Sequence, residues 1–305
     1  MRIKYALLCA AAAAAMASTP AVQAKTFRWA SAGEISTWDI HSQNNALQNG
    51  IHAAVYESLV YYNSRTFKID PVLATSWTQV TPTQLRVNLR QNVKFHDGSN
   101  FTADDAVYSL QRAMMKTSNF TPYTAGIDRV VKVNNNTIDI FTKNPNPVLL
   151  NQLTELRMMS KAWAEKNNSV EPKDIRNVTQ ETYANRNAMG TGPFMLKQWV
   201  PDQRMVFERN PNWWGKLEGN LTEIVYTPIK SEATRVAALL SGEIDLLLDP
   251  SPQDLGRLRN NANLKVVDGV ESRTIFFGLD TFRDELVGSN IKGKNPLKDQ
   301  RVRKA

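Results

Sequence analysis

His41, His52 and His96 are the only imidazoles in 305 residues, and Cys9 is the only thiol. No HExxH pair or close His/carboxylate cluster accompanies them, so no metal-ligand set is expected. Gly190-Thr191-Gly192-Pro193 is glycine-rich but short, with no lysine after it. It reads as a tight backbone turn rather than a phosphate loop. There is no GxSxG nucleophile elbow. Asp104 and Asp105 are neighbours on a helical pattern, where adjacent side chains diverge. Glu243 and Asp245 flank Ile244 and could share a strand face, although the polar edge of a short strand accounts for them as well. His96, in Lys94-Phe95-His96-Asp97-Gly98, reads as a turn histidine bonded to nearby backbone. The sequence therefore supplies no catalytic residue, no metal site and no cofactor motif, which leaves binding as its chemistry.

The elements that would present a binding surface begin with a strand over Lys25–Ala30. A polar stretch, Ser31–Asn45, follows it and is longer than an ordinary connection. Trp38, Asn44 and Asn45 in that stretch offer an apolar plane and amide groups to a small polar ligand, and His41 is a further candidate there. Ala46–Val60 has helical spacing. Leu85, Val87 and Leu89 alternate with polar residues as in a half-buried strand. Thr102 with Asp105 forms a capping box, and Phe101 can pack on Ala106. Ile127–Asn134 and Thr137–Phe141 make a hairpin, Leu149–Ala164 a helix, and Glu171–Ala188 a polar segment with a short helix. Phe194–Val200 and Gln203–Arg209 are antiparallel strands. Leu221–Pro228, a Ser231-capped helix ended by Gly242, and Ile244–Leu248 give strand–helix–strand order, which indicates an α/β fold. A helix over Pro252–Asn260 and strands over Leu264–Val267 and Thr274–Leu279 follow. A last helix opens at Asp299.

Apolar residues make up 42% and charged residues 22% of the chain, with a net charge of +8, an ordinary globular balance. No dense Lys/Arg stripe occurs, so no nucleic-acid partner is expected, and a monomer is expected. Met1–Lys4 is basic, Ala6–Ala17 is apolar, and Val22-Gln23-Ala24 has the small residues of a signal-peptidase site. Cleavage after Ala24 and export to the periplasm follow. The apolar run is shorter than the roughly 20 residues a membrane span needs. Cys9 lies inside the leader, so the exported chain has no disulfide.

Seven ordered segments together resemble the family-5 extracellular solute-binding proteins of ABC importers, of the dipeptide/oligopeptide type. They are Ala54–Val60 (AVYESLV), Pro71–Trp77 (PVLATSW), Leu85–Arg112 with its KFHDG and FTADD, Gly190–Phe194 (GTGPF), Arg209–Lys216 (RNPNWWGK), Arg235–Asp245 (RVAALLSGEID) and Asp299–Ala305 (DQRVRKA). The resemblance implies a two-lobed periplasmic-binding-protein fold with an inserted smaller domain. Residues 25–62 and 186–278 would form the first ligand-binding lobe and 63–185 the insertion. Residues 279–305 would open a second lobe that is mostly missing, as in a truncated member of the family.

It further implies capture of dipeptides or short oligopeptides and delivery to inner-membrane permease subunits. A nickel chelate, haem or a sugar is an alternative cargo. By position, Asp39–Leu47 would supply first-lobe contacts, with Asn44, Asn45, Ala46 and Leu47 beside Trp38 and His41. Because lobe closure excludes water from the ligand, a chain with one lobe would bind weakly. A secreted hydrolase or a chaperone-like protein is the reading of a different class.

Overall fold

The computed structural model describes residues 24–176, 181–269 and 274–305. The leader assigned to residues 1–24 lies outside them except for Ala24. The chain divides into two compact units, 1–252 and 253–305.

In chain order, the first unit contains β1 (Lys25–Ser31), α1 (Ala46–His52), β2 (Val60–Asn63), β3 (Lys68–Pro71), β4 (Ala74–Thr81), β5 (Gln84–Leu89), α2 (Ala103–Ala113), α3 (Thr121–Thr124), β6 (Ile127–Asn134), β7 (Thr137–Thr142), α4 (Leu149–Leu153), α5 (Lys161–Lys166), α6 (Tyr183–Arg186), β8 (Phe194–Val200), β9 (Arg204–Arg209), β10 (Leu221–Pro228), α7 (Glu232–Leu240) and β11 (Leu246–Leu247). These elements make a five-stranded sheet, β11-β1-β10-β9-β8, a four-stranded sheet, β4-β5-β7-β6, and the two-stranded β2-β3.

The five-stranded sheet mixes strand directions. β1 runs parallel to both β10 and β11, while β10-β9 and β9-β8 are antiparallel. β10, α7 and β11 form a crossover that steps over β1. The carboxyl ends of β1, β10 and β11 therefore lie on one edge of the sheet, which in open α/β sheets is where ligands bind. Ser231 caps α7 by accepting from Thr234 N, and Gly242 leaves the helix at φ 76°. β11 is shorter than the strand expected over Ile244–Leu248. Asp245 continues the pairing through its side chain: its N donates to Arg28 O (2.7 Å), while its carboxylate takes the backbone N–H of Arg28 (2.8 Å) and the Nε and Nη2 edge of the Arg28 guanidinium.

In the four-stranded sheet, α2 packs on β6 and β7. Its capping box between Thr102 and Asp105 is formed as expected. Phe101 and Ala106 are buried in the same core, with Val87, Leu110, Ile138 and Ile140. A second core gathers Trp38, Ile51, Tyr56, Phe207 and Tyr226 under the five-stranded sheet.

Segment 53–58 joins these two halves. Glu57 is almost fully buried, and its carboxylate accepts from Thr191 Oγ1 (2.8 Å), Trp213 Nε1 (3.1 Å) and Trp214 Nε1 (3.0 Å). The Arg90 guanidinium lies 3.9 Å from the Trp214 ring centre. Burial pushes the Glu57 carboxyl up, and the three donors only partly oppose this. His96 does bond backbone, but the partner is distant in sequence: Nε2 meets Gly192 O at 3.1 Å, and His96 N donates to Gly190 O. The expected Leu149–Ala164 helix is two helices, α4 and α5. Between them Met158 N donates to Glu57 O and Arg157 donates to Asn49 O, so the chain is captured by segment 49–57. Likewise α1 stops at His52, short of the expected Val60, because Val55, Tyr56 and Glu57 are committed to these contacts.

The second unit holds α8 (Leu255–Arg259), a 3-10 turn (Pro296–Lys298) and α9 (Gln300–Lys304). The strands expected over Leu264–Val267 and Thr274–Leu279 are not formed there. No ladder partner exists for them among the described residues of this unit, and an unpaired strand is unstable in water. Phe277 is 98% exposed.

Gly190 shows how tightly segment 53–58 is held. A Cβ on it would lie 1.9 Å from Val55 O, a backbone atom that cannot swing away. Gly190→Ala should therefore lower the unfolding free energy by about 3 kcal/mol or more, read as a shift in the urea midpoint at unchanged slope.

Candidate functional site

The edge defined by the carboxyl ends of β1, β10 and β11 opens into a cleft of about 370 Å³ in the first unit. Its wall includes Ser31, Gly33, Ala46, Leu47, Arg235 and Asp249. Tyr226, buried on β10, ties down the β1 end of this wall. Its hydroxyl donates to Gly33 O and receives a bond from Ser31 Oγ (2.7 Å), while its ring packs on Trp29 with centroids 4.3 Å apart. A Cβ on Gly33 would come within 2.7 Å of Leu47 Cδ2, the end of a side chain that can turn, so glycine here sets where Leu47 lies in the lining. Arg235, also in the lining, is buried. Its Nη1 donates to Ile229 O (2.7 Å) and Lys230 O (3.0 Å), and its Nε has no partner among the described residues. Asp249 sits at φ 53°, a left-handed conformation that Asp tolerates better than most residues. The cleft thus combines apolar groups of Ala32, Ala46, Leu47 and Leu248 with one guanidinium and one carboxylate. That set suits a small polar solute and contains no nucleophile–base pair.

The residues singled out from the sequence divide between the cleft and the core. Ala46 and Leu47 line the cleft. Asn44 and Asn45 are exposed just before them. Their side-chain oxygens are already committed, Asn45 Oδ1 to Gln48 N as the cap of α1 and Asn44 Oδ1 to Asn49 Nδ2, which leaves the amide N–H groups facing outward. Trp38 and His41 are instead fully buried. Trp38 stacks on His52 (5.1 Å) and meets Phe207 edge-on, so the plane expected to face a ligand faces the core.

His41 belongs to a buried polar cluster that holds segment 32–45 in place. Asp39 and Arg112 form an ion pair with no solvent exposure on either side chain. All five guanidinium N–H groups are used. Nη1 and Nη2 donate to Asp39 Oδ1 and Oδ2 (2.7 and 2.6 Å), Nη1 also to His41 Nδ1 (3.3 Å), Nη2 to Ser169 O (3.1 Å) and Nε to Val170 O (2.9 Å). His41 N donates to the same carboxylate. Around the cluster, Asn185 Nδ2 donates to Thr37 Oγ1, and His52 Nε2 meets Thr37 O at 3.1 Å. Burial alone would push the Asp39 carboxyl up. The Arg112 charge and the hydrogen bonds outweigh it, so the carboxyl titrates below its usual range. Burial, and then the Arg112 charge, hold His41 down at about 3; burial, and then Arg157, do the same to His52. Because Arg112 donates to Nδ1, the neutral His41 ring carries its proton on Nε2.

Arg235, Asp249 and Gly33 were not singled out from the sequence. A usable signal was present. The strand–helix–strand order over 221–248 identifies two strands as candidates for a parallel sheet, and the residues just past their ends are the positions to inspect. Among the described residues, no group of three His, Cys, Asp or Glu could hold a metal ion, and no helix is long and apolar enough to cross a membrane.

Comparison with known proteins agrees with this geometry. The model of the bacterial extracellular solute-binding proteins, family 5 Middle, matches residues 68–305. The periplasmic oligopeptide-binding protein OppA of Escherichia coli is 26% identical over 243 residues, covering 73% of this chain and 42% of that protein. DppA of Helicobacter pylori, solved with the peptide STSA, superposes with a TM-score of 0.68 at 24% identity, covering 79% of this chain and 49% of that one. NikZ of Campylobacter jejuni, solved with Ni(L-His), gives 0.67 at 22%, covering 78% and 46%. The α/β fold is thus that of the periplasmic binding proteins, and the chain spans about half the length of the curated relatives it matches.

Two outcomes follow from the cluster. Arg112→Ala leaves Asp39 charged and buried without its partner and should cost about 3–5 kcal/mol of stability, read by urea unfolding. Stability should also fall as pH drops from about 6.5 toward 3. Over that window the unfolded chain takes up protons on His41 and His52 that the folded chain refuses. Each contributes at most about 1.4 kcal/mol per pH unit. The raised Glu57 carboxyl opposes this trend just above its usual range. Unfolding midpoints measured across the window check the sign.

Proposed function

Because the chain belongs to the family-5 bacterial extracellular solute-binding proteins, we propose that it serves periplasmic capture of short peptides for an inner-membrane ABC importer. The observation that carries this reading is the cleft at the carboxyl ends of β1, β10 and β11, whose lining combines the opposite charges of Arg235 and Asp249 with the apolar groups of Ala46, Leu47 and Leu248. A peptide backbone with a free terminus is complementary to that set, and the names of OppA and of the H. pylori peptide complex favour the same cargo. In this proposal residues 25–62 and 186–278 form the first lobe, 63–185 the inserted domain, and 279–305 open the second lobe. Asn44 and Asn45 offer amide donors to the solute, and Ala46 and Leu47 pack on it. Closure of a second lobe over the cleft would exclude water and strengthen each polar contact. Exported protein would deliver its cargo to permease subunits.

The test is native mass spectrometry of the protein as the cell produces it, purified from the periplasm without unfolding. Retained masses that fragment as peptides of two to about five residues are expected, a size suited to pockets of this order. A nickel chelate, haem or a sugar in their place overturns the peptide assignment. Gly33→Ala pushes Leu47 into the cleft and should weaken binding of the identified peptide about tenfold or more, equivalent to roughly 1.4 kcal/mol, with the unfolding midpoint nearly unchanged.

A further inference from the structure

The β2–β3 hairpin stands apart from both larger sheets as its own two-stranded ladder, with Tyr61 opposite Asp70 and Tyr62 opposite Ile69. Its turn is built locally: Asn63 Oδ1 accepts from Arg65 N and Thr66 N, and Phe67 N donates to Asn63 O at 2.7 Å. Closing the turn this way puts Phe67 at φ 57°, in the left-handed region. That region disfavours a bulky side chain and suits Gly or Asn. The same side chain is 76% exposed, so packing within this unit does not compensate for the backbone. On β2, Tyr61 is 55% exposed and Tyr62 is partly exposed. Arg65 and Lys68 flank the tip. Neither has a carboxylate within ion-pair distance among the described residues, and the nearby Asp70 takes a bond from Asn63 Nδ2.

A strained, exposed phenylalanine beside two tyrosines and two unpaired cations has the composition of a membrane-interface anchor. Aromatic rings settle at the headgroup level and the cations meet anionic lipid. We propose that the tip of this hairpin, residues 61–68, docks on the surface of an anionic phospholipid bilayer, with Phe67 entering the headgroup region and Arg65 and Lys68 facing lipid phosphates. The occupant is taken to be lipid rather than a protein surface because Phe67 is exposed at the turn between two cations, Arg65 and Lys68, and residues 61–68 hold no acidic side chain, a charge complementary to anionic headgroups. The surface is separate from the solute cleft, so its use does not depend on what the cleft binds.

The test is co-sedimentation of the full chain with vesicles of phosphatidylcholine alone and with about 30% phosphatidylglycerol. Retention on the anionic vesicles that falls with added salt is expected. Phe67→Asn is the informative variant, because Asn accepts the left-handed backbone. It should raise the melting temperature and weaken vesicle binding about tenfold. Arg65→Gln with Lys68→Gln should remove the salt-sensitive part without lowering the melting temperature. No retention of the unaltered chain on anionic vesicles overturns the proposal and leaves a protein surface as the occupant. Equal binding by Phe67→Asn, or equal retention on both vesicle types, overturns it as well.

Discussion

The buried pair of Asp39 and Arg112 is the constraint on which the cleft depends. Segment 32–45 is polar and leaves β1, an inner strand of its sheet, so its backbone groups need partners once they are covered. Arg112 comes from α2, which packs on the other sheet, and its donors reach Asp39, His41 and the carbonyls of Ser169 and Val170. One side chain therefore ties three stretches of chain that are far apart in sequence. Every guanidinium N–H has an acceptor, which is the condition under which a buried charge is tolerated. Without that tie, Asn45 would have no fixed place from which to cap α1, and Ala46 and Leu47 would not be held at the wall of the cleft.

A second tie acts through backbone rather than charge. Gly190 and Gly192 lie directly against Val55, and Glu57 gathers the hydroxyl of Thr191 and both indole N–H groups of Trp213 and Trp214. The carboxylate stands where a water network would otherwise be needed to satisfy three donors from two distant loops. His96 adds two bonds to the same turn. The two larger sheets of the first unit are thus joined by groups whose spacing tolerates neither an added methyl nor a lost acceptor.

These ties explain what could be read in advance and what could not. The α2 capping box, the strands β1, β5 and β8–β10, and the Ser231–Gly242 bounds of α7 rest on local rules, and each formed where local rules put it. The helix expected over 149–164 and the longer α1 failed where distant contacts to Glu57 and Asn49 claimed the backbone. The strands expected over 264–267 and 274–279 failed for want of a neighbour to pair with. Periodicity reports whether a segment can form a strand, not whether a partner is present. Of the residues expected to contact a ligand, Ala46 and Leu47 line the candidate cleft. Trp38 and His41 were read as surface groups because a polar loop was assumed to lie on the surface. The burial of that loop depends on Arg112, more than seventy positions away.

The segments that carry the family resemblance coincide largely with these ties. KFHDG contains His96, GTGPF contains Gly190, Thr191 and Gly192, RNPNWWGK contains both tryptophans, and AVYESLV contains Val55 and Glu57. The cleft wall overlaps them only at Arg235, whose guanidinium also caps the chain before α7 through Ile229 O and Lys230 O. Four of the seven segments that carry the resemblance therefore hold residues that join the sheets. Gly33, Leu47 and Asp249 lie outside those motifs. A cleft wall is restrained on one side only, so it can change chemistry without disturbing the ties behind it. A frame of this kind can keep a solute-binding edge in the same place while the solute varies, and for that reason its motifs identify the fold more sharply than the cargo.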